Sequence, residues 1–282
     1  MAIFRFSQIE VPWQLGPPDG RYLVRTWGHG PGSEPSHVLV LASVGTVTRG
    51  RFARSRRNSP PEPEPAKVMS SRATVICAAQ PFTDERAAGS WLAKAGEDQL
   101  AEDLLALDRV LYAFRVVTGD PYVRTIAREE LLAARIGYGD GEEVAYGRWS
   151  EARELILKQP RGRRSRFLEP QARLAQVLSQ KVTVLLCEEL VLRARLDWNH
   201  DRERAAALQL KGAYEAALAE LDPDEADDME QRMAELAELW GGLERAARAA
   251  RTGGLNEDER KSVEVALLRL EAALRARAFT LA

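Results

Sequence analysis

The feature that most restricts what this chain can fold into is a change of hydrophobic period near Thr83. Before it, short apolar runs are broken by Gly and Pro, as in strands; after it, apolar residues return every three or four positions, as in helices. Strands are predicted near residues 3–6, 21–27, 37–47 and 73–78. Gly16-Pro17-Pro18-Asp19-Gly20 supplies a turn, and the Gly/Pro-rich residues 28–35 a loop. Val38-Leu39-Val40-Leu41-Ala42 is apolar at consecutive positions, so its strand needs cover on both faces, with helices on one of them. An antiparallel sheet is the simplest arrangement.

Beyond Thr83, Leu100, Leu104, Leu107, Leu111 and Phe114 put one apolar stripe on a long helix. Asp120-Pro121 has the form of an N-cap followed by proline at the first helical position, predicting a new helix there. Gly137-Tyr138-Gly139-Asp140-Gly141 reads as a turn between helices, with a shorter helix over residues 142–157. Further helices are expected from Glu169-Pro170, across residues 182–196 and across 201–221. Asp222-Pro223-Asp224-Glu225 is a capping sequence for a helix carrying Met229, Met233, Leu236, Trp240, Leu243 and Ala247. Gly253-Gly254 ends it, and Asn256 with Glu259 caps a last helix carrying Val263, Leu267, Leu270 and Leu274. Matching seams predict an antiparallel hairpin with coiled-coil-like packing.

Length and composition set the class. A chain of 282 residues buries a real core without a disulfide or metal staple. Cys77 and Cys187, far apart and inside apolar stretches, read as reduced thiols of a cytoplasmic protein. No apolar run has signal-peptide length or approaches the roughly 20 residues that span a bilayer. The net charge of -2 conceals an asymmetry: residues 1–82 carry 10 basic against 5 acidic side chains, and residues 83–282 carry 30 against 37.

Arg49, Arg51, Arg54, Arg56 and Arg57, near Phe52, precede the Pro-rich run that starts at Pro60; the stretch 49–71 lacks apolar residues and is expected to be a mobile loop. Arg161, Arg163, Arg164 and Arg166 precede Phe167 in a second basic linker. Positive charge beside an aromatic suits nucleic acid or an anionic protein. The Gly137 segment fits no phosphate-loop spacing, although Tyr138, Tyr146, Arg148 and Trp149 near it could line a groove. His29, His37 and His200 lack a second ligand at metal spacing, despite Asp197 and Asp201 beside His200, so no metal or cofactor is expected. Glu188-Glu189 and Asp227-Asp228 read as solvated helix faces.

These patterns predict an α+β protein: a small antiparallel sheet over residues 1–82, a helical bundle over 83–221 and a helical hairpin over 222–282. The function they favour is non-enzymatic, an interaction or assembly protein that binds a protein partner or itself through helical faces. The seam residues Met229, Met233, Leu236, Trp240, Leu243, Val263, Leu267 and Leu270 are the expected contact set. Nucleic-acid binding through the arginine loops is the alternative, and a small-molecule pocket near the Gly137 turn a weaker one.

Overall fold

A computed structural model describes residues 2–25, 34–47, 68–157, 170–223 and 228–280. It divides into two compact units, Met1–Gln159 and Pro160–Ala282. The fold is α+β, with the sheet in the first unit.

Six strands form that sheet: β1 (Ile3–Val11), β2 (Gly20–Val24), β3 (His37–Val47), β4 (Val68–Cys77), β5 (Ala133–Asp140) and β6 (Glu151–Glu154). Their order is β2-β3-β4-β1-β5-β6, and every pairing is antiparallel. Alternation along β1 sends Ile3, Ile9 and Val11 to one face and Phe4 and Phe6 to the other. The first face is covered by α1 (Glu85–Leu92) and α2 (Glu97–Thr118), whose Leu92, Leu100, Leu107 and Leu111 pack on Leu39, Leu41 and Val75. Val38 and Val40 on the opposite face pack with Phe6, Ile76, Val144 and Ala145. The continuous apolar run of β3 is therefore covered on both sides, as its sequence requires.

Three expectations fail in this unit. Residues beyond Asp120 form no helix at the proline; Asp120 Oδ1 instead accepts the Tyr122 N–H at 2.9 Å, closing a local turn. The sheet does not end at residue 82, because the Gly137 segment is the heart of β5 rather than an inter-helix turn. The helix expected over residues 142–157 is a 3-10 turn, Gly141–Tyr146, followed by β6.

The reason lies in space rather than backbone freedom. A Cβ on Gly137 would lie 2.5 Å from the Glu151 carbonyl oxygen, and one on Gly139 would lie 2.7 Å from Val144 Cγ1. Glycine here lets β6 and the 144–150 segment close onto the sheet.

In the second unit α3 (Pro170–Leu178) precedes four longer helices: α4 (Leu186–Asn199), α5 (Glu203–Glu220), α6 (Met229–Thr252) and α7 (Glu257–Thr280). Cross-links show each neighbour running antiparallel. Glu220 near the end of α5 caps the start of α4, accepting from Leu186 N and Cys187 N at 3.1 and 3.0 Å. Arg204 on α5 donates to the Ala250 carbonyl near the end of α6 at 2.7 Å. Arg195 on α4 grips Glu271 on α7 through two bonds of 2.6 and 2.8 Å, while Arg277 lies 3.6 Å from Glu188. The result is a four-helix bundle of which the hairpin α6–α7 is one half.

Its core is lined by alanine on every helix, Ala194, Ala213, Ala246 and Ala273 among them, which lets the axes approach closely. Tyr214 fills the centre, fully buried, and its hydroxyl donates to the Ala266 carbonyl at 2.9 Å. Burial raises the Tyr214 pKa, keeping the hydroxyl a donor. The capping box expected at α7 is present, Asn256 and Glu259 each accepting the other's N–H at 2.9 Å. Of the capping run expected for α6, residues 224–227 lie outside the described residues.

Two substitutions test these packings by chemical denaturation. Gly137→Ala is expected to destabilise the first unit by about 1–3 kcal/mol, because the added methyl displaces β6. Tyr214→Phe is expected to cost about 1 kcal/mol and Tyr214→Ala about 3–5 kcal/mol, separating the hydrogen bond from the volume of the ring.

Candidate functional site

Polar chemistry concentrates in the first unit where α2 crosses β1 and β3. Two acids are buried on α2, Asp103 and Asp108; Asp103 stands three residues after Leu100 and four before Leu107, and is 2 % exposed. Its carboxylate accepts from Ser7 Oγ at 2.5 Å, from Arg5 Nη1 at 3.3 Å and from Gln99 Nε2 at 3.4 Å. Strand alternation puts Arg5 and Ser7 on the helix-facing side, in phase with Ile3 and Ile9. His37, at the start of β3, brings Nε2 to 3.9 Å from the same carboxylate and Nδ1 to 3.1 Å from Ser36 Oγ. Directly across the sheet from His37 stands the buried thiol of Cys77.

Burial pushes the Asp103 carboxyl up to about 6, although Arg5 and the Ser7 hydrogen bond pull the other way. Burial, helped by the charges of Arg5 and Arg109, pushes His37 down to about 4. A serine, a histidine and an aspartate therefore meet, but not as a nucleophile and its base. The single hydroxyl proton of Ser7 is given to Asp103, so the oxygen is not activated by the imidazole. What the cluster does is tie helix to sheet around a strongly perturbed carboxyl.

Six of the eight seam residues named from sequence lie inside the bundle. Met229, Leu236, Leu243, Val263, Leu267 and Leu270 are buried in the core of the bundle. Met233 and Trp240 pack partly buried against that core, with the Lys211 ammonium 5.3 Å from the Trp240 ring centre. A folded single copy takes up the six buried side chains in its own core, while Met233 and Trp240 keep part of their surface outside it. The cause is that α4 and α5 close against the hairpin. Arg49, Arg51, Arg54, Arg56, Arg57, Arg161, Arg163, Arg164 and Arg166 lie outside the described residues. Around Gly137 and Gly139 the space is filled by Val144, Trp149, Glu151 and Ala152. Tyr146 stays largely exposed, and Trp149 is stacked on Phe6 with Arg135 over its ring.

Near His200, Asp197 is held by Arg202 at 2.6 Å and Gln209 at 2.9 Å. Among the described residues no three His, Cys, Asp or Glu side chains stand together as a metal site. No helix described is long and apolar enough to cross a membrane.

Apolar side chains stay exposed on several helices of this unit, Leu208 and Leu218 on α5 and Leu268 and Phe279 on α7 among them, and three stand together on α4. Leu186, Glu189, Leu192, Arg193 and Leu196 fall on one side of this helix and are all exposed, the three leucines by 54 %, 69 % and 46 %. Glu189 and Arg193 pair with each other one turn apart in the middle of that side. Cys187, Val191 and Ala194 on the opposite side are buried in the bundle. Neither the polar cluster nor this face has a counterpart to compare, since no protein-family model, curated protein or solved structure matches the chain.

Proposed function

We propose that this chain is a non-enzymatic assembly protein that pairs with a second copy of itself through the outer face of α4. The observation that carries the reading is the exposed stripe of three leucines around an acid and a base. Two copies meeting antiparallel about residue 191 bring Leu186 opposite the partner's Leu196. The same operation sets Glu189 opposite the partner's Arg193, and Arg193 opposite the partner's Glu189. A face carrying one charge of each sign is complementary to itself, which is what a two-fold contact demands. Leu192 lies close to the axis and is covered by the second copy. The free thiols Cys77 and Cys187 suit a reducing, cytoplasmic setting.

Sedimentation of the full chain tests this. The wild type is expected to sediment with the mass of two chains at micromolar concentration. Leu192→Glu combined with Leu196→Glu is expected to weaken association by more than about a hundredfold, because each leucine hidden contributes about 1.5–3 kcal/mol and about 1.4 kcal/mol is a factor of ten. Helical content should be unchanged, since both side chains point away from the core. Glu189→Arg alone sets like charges together and should weaken the pair; adding Arg193→Glu should restore it. A wild type that stays monomeric at about 100 µM, a concentration typical of weak encounters only, refutes the proposal.

A further inference from the structure

We propose that the outer face of α5, edged by Met233 and Trp240 of α6, is a second two-fold contact between copies of this chain. Each copy then touches two neighbours and assembly continues past the pair, a continuation that rests on the α4 contact of the proposed function.

One spacing occurs on two consecutive helices. Leu186, Glu189, Arg193 and Leu196 on α4 follow one another at steps of three, four and three, and so do Leu208, Lys211, Glu215 and Leu218 on α5, with the order of the charges reversed. A helix turning about 100° per residue sets the four α5 side chains within about 80° of one another, in a stripe about 15 Å long. Both leucines are 40 % exposed, and between them Lys211 pairs with Glu215 at 2.6 Å. Leu210, Tyr214 and Ala217, fully buried, already supply the inner side of this helix, so its core contact does not require the outer leucines.

The stripe is symmetric about the level of Ala213. A two-fold axis through its midpoint, perpendicular to the helix, lays Leu208 on the partner's Leu218 and Lys211 on the partner's Glu215, and the same contacts recur on the other side of the axis. One charge of each sign at equal distances from the midpoint is matched by a second copy. A stripe without net charge gives nucleic acid no excess of cations to hold. Along the α6 edge Met233 and Trp240 are only partly covered by the bundle core, and the Lys211 ammonium stands 5.3 Å from the Trp240 ring centre. Tryptophan is among the side chains that most often anchor contacts between proteins.

A chain with a single two-fold face stops at two copies. With two different two-fold faces every pair still presents unused ones, and the smallest closed assembly is four chains. The leucines on α5 are fewer and less exposed than those on α4, so the α5 step is the weaker and comes at the higher concentration.

Sedimentation of the full chain from about 1 to about 100 µM, the range of weak to moderate affinities, tests this. The wild type is expected to pass from two chains to four or more. Leu208→Glu combined with Leu218→Glu should stop at two chains with helical content unchanged. Leu192→Glu combined with Leu196→Glu should also reach two chains at the top of the range, now held by α5, and all four changes together should leave single chains. Lys211→Glu alone opposes like charges and should weaken the second step by more than about tenfold; adding Glu215→Lys should restore it, which damage to the fold would not allow. A wild type that stops at two chains, with the Leu192→Glu, Leu196→Glu variant monomeric throughout, overturns the α5 contact and leaves the α4 contact standing. A two-chain species that survives those α4 changes but is lost in the Leu208→Glu, Leu218→Glu variant overturns the α4 contact and supports the α5 one.

Discussion

The architecture of the first unit depends on the antiparallel pairing of β1 with β5, which joins residues 3–10 to residues 133–140. Everything between those strands is thereby confined. Two strands must lie on the other side of β4, and α1 and α2 must cover one face while the chain returns. Since β1 is central, its alternation decides both cores: Ile9 and Val11 anchor the helix-side layer, Phe6 the layer beneath Val144 and Trp149. The same alternation also decides where polarity is buried. Ser7 faces α2 and meets Asp103, whereas Gln8 faces away and joins Thr74 and Arg135 at 3.1 and 3.0 Å. Adjacent polar residues on one strand thus serve two unrelated networks, each with its donors matched to acceptors.

The second unit is organised by small side chains. Alanine at the contact lines lets four helices close around Tyr214, and charged ties at the rim fix which end meets which. Glu220 illustrates the rim: burial opposes its charge, but the amide donors of Cys187 and Leu186 outweigh that and hold its pKa below the usual value. The carboxylate sits where the positive end of α4 favours it. It also lies against Cys187, whose thiol is pushed up to about 12 by burial and by this neighbour, so the sulfur is an inert part of the core.

Helical periodicity was the part of this fold most legible in the sequence. The Leu100 to Phe114 stripe, the α5 stripe through Tyr214 and the Asn256–Glu259 cap are local patterns, and they describe local structure. Pairing across long separations was not legible. Ala133-Ala134-Arg135-Ile136-Gly137 has a single β-branched residue, Ile136, and Gly137 and Gly139 suggest a turn until β6 and Trp149 are seen lying on them. A stripe likewise says that a face is covered without saying by what. Met229, Leu236, Leu243 and Leu267 were rightly apolar for a seam, yet the cover comes from α4 and α5 of the same chain. Asp103 carried a missed signal, an acid placed in step with a leucine stripe; its partners Arg5 and Ser7 lie more than 90 residues away and are joined to it only by the fold.

The α4 face stands apart for the same reason that the seam does not. An outer helix of a bundle needs apolar residues on one side only, with charge opposite. On α4 the inner side is already supplied by Cys187, Val191 and Ala194, so Leu186, Leu192 and Leu196 are in excess of what one copy hides. Single exposed leucines are ordinary on any surface. Three on one side of a four-turn helix, interleaved with a matched acid and base, form a pattern that isolated exposure does not produce. Of the seam residues, Met229, Leu236, Leu243, Val263, Leu267 and Leu270 are taken up in holding the bundle together around Tyr214, while Met233 and Trp240 are only partly covered.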